Sequence, residues 1–372
     1  MRRLLGLLAC LALLSAACSA RTPNSGPTQL PSLSPSPTPS GTVTPKPRVP
    51  SARFALYALD DKIWLYDVAK DANTELAHGE GVRQPKFVDD HEISFIQGST
   101  TGVIRILDLK TRAVRDVITE QDGINVYGWS PDRQTLAYIT TDPQAYPHLV
   151  FWHAGADAPT QTVATLARAF GRGAVTSDQA KIEFSSDGQE VLVVYTPADG
   201  TPQDSLSPDQ SQLQVRTING ELSFAADMRD EPTMGLWSAD GARVYYRTDR
   251  GARVWHADTG SIGSVSGAGT WYDPMLSPDG KLIAYDTGEQ SARVRVRVFD
   301  AKNATTTFAS APARFSPVFA TARLLWAQAV AACKTCQGFS TELRTVYAID
   351  VKNGQERKLA LPVTTGIDVL YR

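Results

Sequence analysis

Cys333-Lys334-Thr335-Cys336 sets two thiols three positions apart, a spacing that serves a small disulfide ring, a dithiol redox pair or half of a metal site. A metal would need a second thiol pair or histidines, and none lies nearby in sequence. A thioredoxin-like pair needs a βαβ setting, whereas these cysteines fall in a loop between strand-like runs. A disulfide between Cys333 and Cys336 is therefore expected, worth roughly 2 kcal/mol by loop entropy and stiffening its own loop. The histidines, His78, His91, His148, His153 and His256, form no His-x-x-x-His pair and no Glu-bearing metal motif. His153 and His256 stand beside tryptophans, as packing residues do. No Gly-x-Ser-x-Gly elbow, Gly-x-Gly-x-x-Gly turn or phosphate loop occurs, so no catalytic residue and no cofactor is implied locally.

A second group of polar residues is repeated. Trp129-Ser130-Pro131-Asp132, Phe184-Ser185-Ser186-Asp187-Gly188, Trp237-Ser238-Ala239-Asp240-Gly241 and Leu276-Ser277-Pro278-Asp279-Gly280 share one phrase, with weaker copies at Phe87-Val88-Asp89-Asp90 and Phe315-Ser316-Pro317. The copies are spaced 42, 55, 53, 39 and 39 residues apart. Self-similarity near this period, with strand-like runs after each copy, predicts a β-propeller. Each phrase is followed by strands and a second turn signature, as in Ile104–Asp108 before Lys110-Thr111 and Val296–Asp300 before Lys302-Asn303. The runs Ile63–Asp67, Val254–Asp258 and Val346–Asp350 follow the same mould. An Asp after a strand bonds backbone amides of the turn, so these carboxylates are expected to build turns.

The phrase and the strand-Asp-turn resemble the repeats of TolB-type, WD40-like (PD40-repeat) β-propellers over nearly all of 53–372. The resemblance is specific for fold and weak for activity. Innermost strands are expected near 82–88, 124–130, 181–186, 233–238, 270–277 and 313–319. The chain also begins with three strands that lack an inner one, Phe54–Leu59, Lys62–Val68 and Asn73–Ala77. It ends with a lone strand, Thr364–Arg372. Joined, these make a seventh blade and remove an open sheet edge. The fold class is therefore all-β, a propeller of seven blades, with six or eight as the neighbouring counts.

Turns alternate between the two faces of such a body. The Ser-Asp phrases and Asp-turns share one face and are short. The large insertions share the other: Asp142–Pro147, Arg168–Ala180, Pro197–Gln212 and Gln328–Thr341. Loops on a rigid scaffold are where binding residues concentrate, so this long-loop face is the expected working surface.

The N-terminus reads as an address. Arg2-Arg3, the apolar run Leu4–Leu14 and Ser15-Ala16-Ala17-Cys18 give a signal peptide over 1–17. The last four residues resemble a bacterial lipobox, with Ser15 where the family usually has Leu. That resemblance implies that Cys18 receives a diacylglyceryl group, whose two acyl chains hold a protein on a membrane. Residues 18–52 hold nine prolines among Ser and Thr, a composition that favours extended polyproline II and permits O-glycosylation. At about 3.1 Å per residue, such a stalk reaches on the order of 100 Å. Loss of Arg2 and Arg3 leaves 35 basic against 39 acidic residues, a net charge of −4, which gives no electrostatic footprint for nucleic acid. The expected protein is a membrane-anchored, extracytoplasmic binding scaffold for a protein, peptide or cell-wall ligand. The alternatives are a lactonase-like hydrolase with its site in the central funnel, and a sensor module of an envelope complex.

Overall fold

A computed structural model of the chain describes residues 50–98, 101–141, 147–155, 160–165, 180–195, 211–267, 269, 271–288, 293–329 and 345–372. These form seven four-stranded antiparallel sheets. Blades are numbered along the chain, with the N-terminal strands counted first. Six inner strands run Arg83–Phe87, Ile124–Trp129, Ala180–Phe184, Thr233–Trp237, Tyr272–Leu276 and Arg314–Phe319 in blades 2 to 7. Blade 1 joins Asp368–Tyr371 to Ala52–Leu59, Lys62–Asp67 and Ala72–His78, so the C-terminal strand closes the ring as expected. Among the described residues the one helical element is the 3-10 turn Met228–Asp230, and no helix is long and apolar enough to cross a membrane.

The core lies in the seams. Each sheet is covered on both faces by its neighbours, so second strands read as continuous apolar runs rather than alternating ones. Glu190–Tyr195 is buried at every position after its first. Phe151 and Leu149 of blade 3 pack on Phe184 and Val193 of blade 4. Tyr245 of blade 5 packs on Trp271 and Tyr285 of blade 6. Equivalent clusters fill the other seams, including Tyr66 against Trp326 between blades 1 and 7. Outer strands, such as Thr305–Ala309, are largely exposed.

The Ser-Asp phrases close one face. In blade 3 the Ser130 hydroxyl donates to Asp132 at 2.6 Å and accepts the Thr135 amide at 2.9 Å, while Asp132 accepts the Gln134 amide. The same arrangement recurs at Ser185–Asp187, Ser238–Asp240 and Ser277–Asp279. Asp67, Asp108, Asp300 and Asp350 each accept turn amides after their strands.

Two details differ from the sequence reading. Phe315-Ser316-Pro317 lies inside a strand. The opening turn of blade 7 starts at Ala320, whose amide bonds to Leu324 as that of Ser130 bonds to Thr135. In blade 5 the strand ends at His256, which pairs with Arg243 at the register where Asp300 pairs with Leu282, so Asp258 sits out in the turn.

Candidate functional site

The expected site residues divide between described and undescribed stretches. Cys18, Cys333, Cys336, Asp142, Arg168, Pro197 and Thr341 lie outside the described residues. Pro147 and Ala180 are the first residues of their strands. Gln212 is buried just before the strand Leu213–Thr217. Gln328 belongs to the strand Leu324–Ala329, and its Oε1 accepts the Thr364 amide at 3.3 Å. Strands flanking the long loops thus enter and leave on the face opposite the Ser-Asp turns, as the alternation required.

At that face the inner strands are distorted in a repeated way. Gln84, Met234, Asp273 and Ser316 each sit three residues before their strand's last residue, at a break in register and at φ between 45° and 53°. Left-handed backbone costs a side-chain-bearing residue energy, least for short polar ones. In three of the four the next residue is proline, Pro85, Pro274 and Pro317, which has no amide to offer the broken ladder. Bulges of this kind re-aim side chains.

In blades 6 and 7 they gather a polar group. Asp273 is exposed, whereas Asp286, at the end of the strand Leu282–Asp286, is only 5% exposed. The Asp286 carboxylate accepts the Gly288 amide at 2.9 Å and the Ser316 amide at 3.2 Å. The Ser316 hydroxyl donates to Asp273 at 2.8 Å, and Thr365 reaches Ser316 at 3.4 Å. Tyr272, beside Asp273, carries the Arg247 guanidinium 3.9 Å above its ring. A Cβ on Gly288 would lie 1.7 Å from that ring, so the glycine backbone presses directly on it.

Burial first, and the Asp273 charge second, push Asp286 up to about 6, against the lowering effect of the two amides. Such a carboxyl changes between proton donor and acceptor close to neutrality. The pair can therefore hold a hydrogen-bonding or cationic group, or carry acid–base work. Among the described residues no group of three or more His, Cys, Asp or Glu could hold a metal. The histidines stay apart: His78 pairs with Glu75, His91 with Asp90 and His153 with Thr135. Sequence reasoning missed Asp273, Asp286 and Ser316. The available signal was the repeated residue-proline pair in Gln84-Pro85, Asp273-Pro274 and Ser316-Pro317.

The described chain is a seven-bladed β-propeller. No protein-family model matches it, and no curated protein does. An oligogalacturonate lyase in complex with manganese is similar, with a TM-score of 0.56 and 12% identity over 80% of this chain and 81% of that one. The β-propeller domain of Myceliophteria thermophila Cps50 (Swd1) gives 0.50 and 14% over 77% and 88%. TolB from Acinetobacter baumannii gives 0.44 and 14% over 84% and 81%. At these identities the likeness is one of fold.

Proposed function

We propose that the chain is a lipid-anchored, extracytoplasmic scaffold that holds a protein, peptide or cell-wall ligand on the long-loop face of its propeller. The observation that supports this reading is the difference between the two faces. One is closed by repeated Ser-Asp turns whose polar groups satisfy each other. The other carries the flanks of the long loops and the bulged inner strands. A sensor module of an envelope complex would use the same surface with a different partner. Shortening the chain within 197–210, so that buried Ser211 and Gln212 keep their places, is expected to abolish capture of the partner from the native envelope without lowering thermal stability. Unchanged capture would refute the assignment of this face. Cys18→Ala is expected to release the protein from the membrane fraction, and retention there would refute the anchor.

One observation favours a second reading. Convergent carboxylates are what a funnel-sited, lactonase-like hydrolase requires, and Asp273 and Asp286 converge on Ser316. Turnover of ester or lactone substrates that is lost in Asp286→Asn would select the enzyme over the scaffold.

A further inference from the structure

The polar group of blades 6 and 7 carries a charge that nothing nearby answers. Asp273 is exposed, Asp286 is buried, and both converge on Ser316. Among the described residues, neither acid forms an ion pair. Arginines stand on the surrounding strands but are engaged elsewhere. Arg314 pairs with Glu356 at 2.6 Å, and Arg295 donates to the Ser310 carbonyl at 2.7 Å. Arg247 lies over the Tyr272 ring, 3.9 Å from its centroid. No cation therefore offsets the burial and the Asp273 charge that keep the Asp286 carboxyl raised.

Arg247 is the complementary orphan. Its Nε is buried without an acceptor, and among the described residues its side chain has no hydrogen bond and no ion pair. Stacking on an aromatic face holds a guanidinium in one plane. Here it also keeps the cation on the ring instead of on the acids. Tyr272 is itself braced, because the Gly288 backbone presses on its ring, and Gly288 donates its amide to Asp286. Guanidinium, ring and carboxylates thus form one contiguous group. It lies at the long-loop ends of the strands Arg243–Thr248, Tyr272–Leu276 and Leu282–Asp286. Asp273 and Gly288 are exposed and Arg247 and Tyr272 half-buried, so the group is open to solvent.

We propose that this group holds the free amino end of a peptide, with its α-ammonium against Asp273 and Asp286 and its first carbonyl oxygen against the Arg247 guanidinium. The proposal rests on the reading of the long-loop face as the binding surface and names the chemistry of its occupant. In the first residue of a peptide, a cation and an acceptor stand on the same carbon. The ammonium of a lysine side chain and the guanidinium of an arginine have no such neighbouring acceptor, and would leave Arg247 unanswered. An ammonium brings three donors and no acceptor, which suits two carboxylates that lack a cation. Its bonds to them are charge-assisted. Its charge also relieves the repulsion between Asp273 and Asp286.

The test is isothermal titration of the folded chain with pooled tripeptides, with the same pool acetylated at its amino ends, and with glucosamine. The free pool is expected to bind, and the acetylated pool to bind about ten-fold more weakly, because acetylation removes the cation and its charge-assisted bonds. Equal affinity for the two pools, no binding of the free pool, or a preference for glucosamine would overturn the proposal. Asp273→Asn removes the exposed charge and keeps the backbone, since asparagine tolerates the left-handed φ of 45°. It is expected to weaken the free pool about ten-fold and to leave the acetylated pool unchanged. Arg247→Lys keeps the charge and loses the planar fork. It is expected to melt like the parent and to bind the free pool more weakly, and parental affinity in both variants would also overturn the proposal. If shortening within 197–210 abolishes capture of the envelope partner while the parent binds no free pool, the long-loop face stands and the peptide end falls.

Discussion

The Ser316 hydroxyl donates to Asp273 at 2.8 Å across the seam between blades 7 and 6. The amide of the same serine bonds to Asp286. One bulged residue of one blade thus holds both acids of its neighbour, and the site exists only while that seam is closed. Ser316→Ala keeps the amide bond and removes the hydroxyl. It is expected to weaken ligand capture at the long-loop face by more than it lowers thermal stability, since the lost bond contributes only about 1 kcal/mol. Equal capture by variant and parent would separate Ser316 from the site.

The Asp286 carboxyl gives the fold a pH dependence of definite sign. A carboxyl raised from 3.8 to about 6 in the folded state binds its proton more tightly there than in the unfolded chain. Its ionisation therefore opposes folding, and stability falls as pH rises between about 4 and 7, by about 2–3 kcal/mol. The turn carboxylates Asp187 and Asp240 are lowered, chiefly by the hydroxyls of Ser185 and Ser238. Their contribution is lost only at lower pH, outside that window. Urea unfolding across the range checks the slope. Asp273→Asn removes the second cause and flattens the fall, while burial, the first cause, keeps part of it. A slope of opposite sign would refute the assignment.

The repeated Ser-Asp turns are expected to stabilise the fold without taking part in binding. Ser130 is 2% exposed, and Ser130→Ala leaves the Thr135 amide without its acceptor. The expected cost is about 1–3 kcal/mol. Ser238→Ala is two blades away, so the two losses should add to within about 0.5 kcal/mol. Calorimetry checks both points, and capture by the long-loop face should be unchanged in each.

Gly288 is required for two separate reasons. Its φ is 60°, and a Cβ there would fall among the Cδ2, Cε2 and Cζ atoms of Tyr272. Gly288→Ala is expected to displace the ring from beneath Arg247, at a cost of about 1–3 kcal/mol. Near-ultraviolet circular dichroism should change with it. A fully native spectrum would mean that Tyr272 is free to move, and that its ring is not rigidly held.

The fold was legible because propeller strands repeat a turn chemistry that needs particular side chains. Ser130 and Asp132 accept turn amides, and the same need returns in every blade that keeps the phrase. The closure by Asp368–Tyr371 followed from counting strands that lacked partners. The site was less legible. Asp273 and Asp286 lie on different strands, and Ser316 on another blade, so no local spacing links them. Ser316-Pro317 even imitates the opening phrase. Its physical equivalents are Asp273-Pro274 and Gln84-Pro85, where the proline follows a left-handed bulge rather than starting a turn. His256 misled in the opposite way, taking the strand-end position that Asp300 holds in the next blade.

The ring is closed by few contacts, so its last strand decides whether the body unfolds as one unit. Tyr371 donates its hydroxyl to the Phe319 carbonyl at 2.6 Å, Asp368 accepts the Phe87 amide, and Arg372 and Ser51 exchange backbone bonds. These tie blade 1 to both neighbours and pair the inner edge of Ala52–Leu59. Tyr371→Phe removes one bond and should cost about 1 kcal/mol while unfolding stays cooperative. Deletion of 368–372 removes all of them and bares a strand edge, which invites pairing between molecules. The truncated protein is expected to elute as aggregates and to lose its single sharp melt. A monomeric truncation with one cooperative transition would show that the ring holds without the closing strand of blade 1.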